Sequence, residues 1–174
     1  LGWPQQIGGP ANINSNDIYA LGDGSSLITG SFQGMARFGD KELTSTTQDE
    51  EDIFVAKLNT SGTWLWLTKA GGSSDDQGYG VALGHDGRVY ITGYYYSSGS
   101  VYFGNIHLPN EHYQEAFVAA LDPNGNFIWA NRMHYSYYQR GRGIDVNDNG
   151  DIAVTGEFSY RINMGGSCGQ LSPS

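Results

Sequence analysis

The sequence predicts an all-β chain made of repeated four-stranded antiparallel units, and three observations carry that prediction. The first is an internal repeat. Thr29-Gly30, Thr92-Gly93 and Thr155-Gly156 recur every 63 residues, FVAKLNTSGTWLW from Phe54 returns as FVAALDPNGNFIW from Phe117, and Trp3, Trp66 and Trp129 keep the same step. Gly8-Gly9 with Gly71-Gly72, and Leu108 with Leu171, do the same. The second is composition. Among 174 residues there are 26 glycines and 12 tyrosines, with only 16% charged residues, which suits many short strands joined by tight turns. The third is local pattern: Asp/Asn-Gly pairs stand between runs that alternate apolar with polar residues, the signature of β-hairpins.

The second copy shows each element. GYGVALG (78–84) is a strand of small residues, and the turn His85-Asp86-Gly87 leads to RVYITG (88–93), where Val89 and Ile91 alternate with Tyr90 and Thr92. A long loop then precedes EAFVAAL (115–121), and Asp122-Pro123-Asn124-Gly125 turns the chain into FIWANRM (127–133). Pro123 fits that turn because its fixed φ suits a turn's second position. Helical periodicity is absent, so almost no helix is expected. A slim glycine-bearing first strand and a Trp-bearing last strand describe the blade of a β-propeller, with Trp66 and Trp129 filling the wedge between blades. At 63 residues the unit exceeds a WD40 blade of about 40–45. The surplus is expected in two loops, near 39–52 and 96–114.

On this reading the chain is one repeat domain, 1–174. Residues 1–9 form the outer strand of a preceding blade, 10–72 and 73–135 two blade repeats, and 136–174 the first half of a third. That is about 2.8 repeats of a partial propeller, fewer than the roughly four blades a ring needs. The remaining blades are expected from the same polypeptide or from other copies of the chain.

Charge and composition exclude several classes. Nine basic against 18 acidic residues give a net charge of −9, the wrong sign for neutralising phosphates or anionic membranes, so neither nucleic acid nor membrane insertion is expected. No apolar run approaches a membrane span of roughly 18 residues. Cys168 is the single cysteine, so no intrachain disulfide is available. The chain starts at Leu1 with no signal peptide, as expected of a processed or excised piece.

The elements TG…FG…FVAKL…G…W…GG over residues 29–72 resemble the bacterial SBBP β-propeller repeats, and the likeness extends over essentially the whole chain. The resemblance implies a secreted or cell-surface bacterial protein, often an adhesion or scaffold module, and brings no shared catalytic residues. The LNTSGTWLW and LDPNGNFIW segments are similar, over a shorter stretch, to the outer-strand Trp motif of quinoprotein propellers. The expected function is therefore a non-catalytic surface module that binds glycan or protein through blade loops. A purely structural spacer and a propeller-fold hydrolase or quinoprotein-like oxidoreductase stand as alternatives.

Candidate sites follow from where the copies differ. GGSSDDQGY of one copy is replaced by HYSYYQRGR, residues 134–142, in the next. Tyr135, Tyr137, Tyr138, Arg140 and Arg142 there offer stacking faces and planar donors suited to sugars or a protein partner, and Tyr94, Tyr95 and Tyr96 form a second aromatic run. Both groups also have an inter-blade packing reading. Asp145, Asn147 and Asn149, with Gly150 and Asp151, match the first half of a calcium loop. The twelfth position is Gly156 rather than a bidentate Glu, so an Asn-Gly hairpin turn competes with calcium, and no other cofactor is expected. Residues 48–52, Gln-Asp-Glu-Glu-Asp, form an acidic loop. The four histidines (His85, His107, His112 and His134) show no HExxH-type spacing.

Overall fold

Asx-type turns and alternating strands assemble this chain into stacked antiparallel sheets. The computed structural model describes residues 7–10, 12–96, 100–109, 113–133 and 138–158. The first elements are β1 (Ile7–Gly8), β2 (Asn12–Ala20), β3 (Ser26–Gln33), β4 (Met35–Phe38), β5 (Lys41–Thr44), β6 (Glu51–Leu58) and β7 (Trp64–Gly71). They are followed by β8 (Asp76–Leu83), β9 (Val89–Tyr96), β10 (Val101–Phe103), β11 (Ile106–Leu108), β12 (Gln114–Leu121) and β13 (Phe127–Met133). The last are β14 (Gln139–Val146) and β15 (Ile152–Phe158). No helix occurs among the described residues.

Strands β2, β3, β6 and β7 form one four-stranded meander, β8, β9, β12 and β13 a second, and β14 with β15 begin a third. The five hairpin turns that join β2–β3, β6–β7, β8–β9, β12–β13 and β14–β15 share one device. Asp23, Asn59, Asp86, Asp122 and Asn147 each accept the backbone N–H two residues on, at 2.8–3.0 Å, which closes the turn without help from the rest of the fold.

Neighbouring sheets come closest at Thr-Gly. Thr29 Oγ1 donates to Phe54 O at 2.9 Å, and Thr92 Oγ1 to Phe117 O at 2.7 Å. Each threonine thereby satisfies its hydroxyl inside its own sheet while lying against a glycine of the next. A Cβ on Gly78 would overlap Thr29 Oγ1, and one on Gly141 would overlap Thr92 Oγ1. Gly30, Gly93 and Gly156 are equally constrained, by the carbonyls of Asn14, Gln77 and Arg140. Side chains there would force the inner strands apart.

Away from this contact the gap between sheets widens and bulk fills it. Leu27, Ile53 and Val55 of the first sheet meet Val81, Ile91, Phe117, Ala119 and Leu121 of the second in one core. Ala116, Val118, Met133 and Trp129 pack with Ile144, Ile152 and Val154 in another. Strand β12 is buried along all eight residues because it is covered on both faces. Trp66 occupies the wedge as expected: its Nε1 donates to Pro123 O at 3.0 Å, and its ring lies against Gly125, where φ is +87° and a side chain has no room.

The stretches 39–52 and 96–114 are not simply loops. Short hairpins, β4–β5 and β10–β11, lie in or beside them and extend a neighbouring sheet. Strand β10 pairs with β7, Tyr102 opposite Gly71 and Phe103 opposite Ala70, and β4 pairs with β1 in the same way. The hairpin therefore hydrogen-bonds to one sheet and inserts an aromatic into the next. The Phe103 ring lies 4.8 Å from Phe117 and 5.4 Å, edge-on, from Phe127. Phe38 repeats the arrangement, 5.1 Å from Phe54 and 5.3 Å from Trp64.

Phe103 is fully buried and Tyr102 beside it is 52% exposed. Phe103→Ala is expected to cost about 3–5 kcal/mol, and Tyr102→Ala less than about 1 kcal/mol, in urea unfolding followed by tryptophan fluorescence. Equal losses would contradict the wedging role of Phe103.

Candidate functional site

The inner strands β2, β8 and β14 each carry a β-bulge at the same place. Register slips between Ser15 and Asp17, between Gly78 and Gly80, and between Gly141 and Gly143. Asn16, Tyr79 and Arg142 are left unpaired in the ladder. A bulge turns such a residue out of the pleat and re-aims its side chain, so three successive sheets present Asn, Tyr and Arg at equivalent positions. Asn16 Nδ2 donates to Gly78 O of the next sheet at 2.8 Å. The Arg142 guanidinium lies 4.4 Å from the centre of the Tyr79 ring and donates through Nε and Nη2 to Glu157 Oε1 at 3.0 and 2.7 Å.

A polar chain runs across the sheets from this row. Glu51 accepts from Asn14 Nδ2 at 3.2 Å and from Gln77 Nε2. Gln77 Oε1 accepts from Tyr79 OH at 2.5 Å. The Tyr79 and Tyr94 rings are 5.8 Å apart, and the Arg140 guanidinium stands 5.0 Å over Tyr94. Two guanidiniums over two neighbouring tyrosines favour the positive charge through the ring quadrupoles, by about 0.5–2 kcal/mol each.

The expected site residues therefore separate. Tyr94, Arg140 and Arg142 come together, joined by Tyr79. Arg140 and Arg142 belong to strand β14 rather than to an inter-blade loop. Tyr95 points inward: it is fully buried, and its hydroxyl donates to Glu115 Oε2 at 2.7 Å. Burial and the Glu115 hydrogen bond hold its phenol well above the usual range, so Tyr95 belongs to the core and presents nothing to a ligand. Burial raises the Tyr94 phenol in the same way. Tyr96 and Tyr138 are 45% and 63% exposed; Tyr96 is Gln114's partner across the ladder and Tyr138 bridges to Gln114 from elsewhere. Tyr113, exposed and adjacent to Gln114 in the chain, was not singled out by sequence. Tyr135 and Tyr137 lie outside the described residues.

Below this surface two buried acids meet. Asp52 Oδ2 accepts from Lys69 Nζ at 2.7 Å and from the Thr46 N–H and hydroxyl at 2.8 Å. Asp76 accepts from the N–H groups of Gly72 at 2.6 Å and Tyr96 at 3.1 Å. Both carboxyls border Gly71. Burial, more than the nearby Asp52 charge, pushes the Asp76 carboxyl well above the usual range, against the pull of the Gly72 N–H. One unit on, Glu115 and Arg132 repeat the acid–base pair at 3.5 Å, and Gln139 stands in the place of Asp76. The acidic loop is accordingly divided: Asp52 is internal, Glu51 ties two sheets together, and Glu50 is half-buried beside Asp75.

In the half calcium loop, Asn147 Oδ1 accepts from the N–H groups of Asn149 and Asp151 at 3.0 and 2.9 Å, and Asp145 Oδ1 accepts from Val146 N at 2.9 Å. The Asn147 oxygen does the same turn-closing work as Asn59 and Asp122, while Asp145 bonds its neighbour within β14. A cleft of about 700 Å³ lies at the other end of the first sheet, between Asn12, Gln33, Met35, Ser45 and Asp49.

No family model matches the chain. It is similar to an uncharacterized WD repeat-containing protein of Acanthamoeba polyphaga mimivirus, 27% identical over 138 residues. The matched stretch is 65% of this chain and 10% of the relative, so the chain spans about a tenth of that protein's length. WD repeats are four-stranded propeller blades, and the successive antiparallel sheets found here are propeller-like in that sense.

The Asp76 carboxyl is expected to titrate well above ordinary carboxylates when followed by side-chain carbon-13 NMR. Because folded Asp76 keeps its proton to a higher pH than the unfolded chain does, its ionisation lowers stability as pH rises from the ordinary carboxylate range through the folded value. A midpoint at or below the ordinary range would show that the Gly72 and Tyr96 N–H groups outweigh burial.

Proposed function

We propose that the chain is part of a β-propeller of SBBP-like 63-residue units and works as a non-catalytic module that binds a protein partner. One observation carries the reading: exposed Tyr96, Tyr113 and Tyr138 gather about Gln114, with Arg140 on the same strand as Tyr138's neighbour Gln139. Tyr and Arg are among the side chains that most often anchor protein interfaces, Tyr because it buries a large ring and keeps a polar tip, Arg because its planar fork offers several donors. The likeness to a WD repeat-containing protein supports the same class of function. A protein partner suits the surface better than a glycan, since guanidiniums already cover Tyr79 and Tyr94. Secretion and a place at the bacterial cell surface belong to this proposal through the SBBP resemblance.

A second reading, assembly with further blades, is favoured by Trp129. Its Nε1 is buried without a hydrogen-bond partner, whereas the equivalent Trp66 donates to a turn carbonyl of the following sheet. The outer strands of the third unit, from the same polypeptide or another copy, would supply that carbonyl.

A random phage-displayed peptide library selected on the protein tests the binding surface. Selected peptides are expected to lose at least about tenfold in affinity with Tyr96→Ala or Tyr138→Ala, and to keep it with His85→Ala, in a turn at the opposite end of the strands. Peptides indifferent to both tyrosines would overturn the assignment.

A further inference from the structure

The two sheet interfaces differ at one place in a way that defines a ligand. At the first, the Glu51 carboxylate takes Asn14 Nδ2 on one oxygen and Gln77 Nε2 on the other. One repeat on, Glu51 becomes Gln114 and Gln77 becomes Arg140. The acceptor has lost its charge where the donor has gained one. Two groups are left wanting an acceptor. Gln114 is 4% exposed and its Nε2 has no hydrogen-bond partner, a state that costs about 1–3 kcal/mol when a donor is buried. Arg140 has no carboxylate among the described residues, although Arg37, Arg88, Arg132 and Arg142 each have one. Its guanidinium is instead held over Tyr94, which fixes the direction of its donors.

We infer that Arg140 and Gln114 form a seat for a carboxylate brought by the protein partner, an Asp or Glu side chain of an extended segment whose flanking residues lie on Tyr96 and Tyr138. This rests on the binding surface proposed above and names its chemistry. A carboxylate fits because, at the first interface, the residue equivalent to Arg140, Gln77, donates to one. It receives a charge-assisted bond from Arg140, roughly twice as strong as a neutral one, and satisfies the buried amide. The chain's overall negative charge does not select such a ligand, so the preference has to come from this local pair.

The same library supplies the probe. Tyr138-dependent peptides are synthesised with each Asp or Glu in turn replaced by Asn or Gln, and both members are measured by fluorescence anisotropy at 150 mM salt. One acid-to-amide change is expected to weaken binding at least about tenfold on the native protein and to have no effect on Arg140→Gln. Gln114→Glu restores an internal carboxylate and is expected to compete with the peptide, lowering affinity at least about tenfold. It should raise the melting temperature with Arg140 present and not in Arg140→Gln. Tyr138-dependent peptides that bind equally as acid and amide, or an acid preference that survives Arg140→Gln, would overturn the carboxylate seat and leave the interaction surface standing. Loss of Tyr138 dependence itself would remove both.

Discussion

A threonine laid against a glycine sets the distance between sheets, and the rest of the molecule follows from that distance. Thr29 and Thr92 cannot approach Gly78 and Gly141 so closely unless the inner strand carries no side chain there, and the threonine hydroxyl must find its acceptor within its own sheet. Both conditions are met by the same pair of residues, one repeat apart. With the inner strands fixed, the outer strands diverge, and the gap has to be filled by groups of increasing size. Val, Ile and Leu fill its middle, Phe103 and Trp66 its wide end.

The same contact lines up the row of bulged residues. The glycines that admit the neighbouring carbonyl, Gly30, Gly93 and Gly156, stand across the ladder from the bulges, and each inner strand releases one residue beside the closest approach. The backbone repeats and the chemistry does not. Asn16 reaches a backbone carbonyl, Tyr79 becomes a platform for a cation, and Arg142 is clamped by Glu157. A fixed scaffold with variable side chains at one position is how repeat folds acquire binding surfaces without altering their cores, and Gln114 with Arg140 follows that logic where Glu51 with Gln77 closes an equivalent contact internally.

Most of the fold was legible because Thr-Gly, FVA and Trp keep one step of 63 residues, and each marks an element under strict steric constraint. Strand FIWANRM was located to the residue. The hairpins β4–β5 and β10–β11 were not legible: Phe38 and Phe103 are 65 residues apart, so the offset that reveals everything else misaligns them, and strands of three or four residues carry little alternation. Arg140 and Arg142 were visible as departures between copies, and the buried Tyr94 beneath Arg140 as part of an aromatic run. Tyr95 misled, because a run of three tyrosines on a strand sends its middle member to the opposite face, here into the core. Tyr79 was missed although its signal was present: it follows Gly78 as Arg142 follows Gly141.

The Thr-Gly contact is tested most directly by native-state hydrogen–deuterium exchange of Gly141→Ala beside Gly22→Ala, whose added methyl group meets nothing within 4 Å. If the contact governs the stacking of sheets, Gly141→Ala strips protection from β14 and β15 while β3 and β6 keep theirs, and Gly22→Ala exchanges like the native protein. If β14 and β15 stay as protected in Gly141→Ala as in Gly22→Ala, the close approach does not hold the sheets in place.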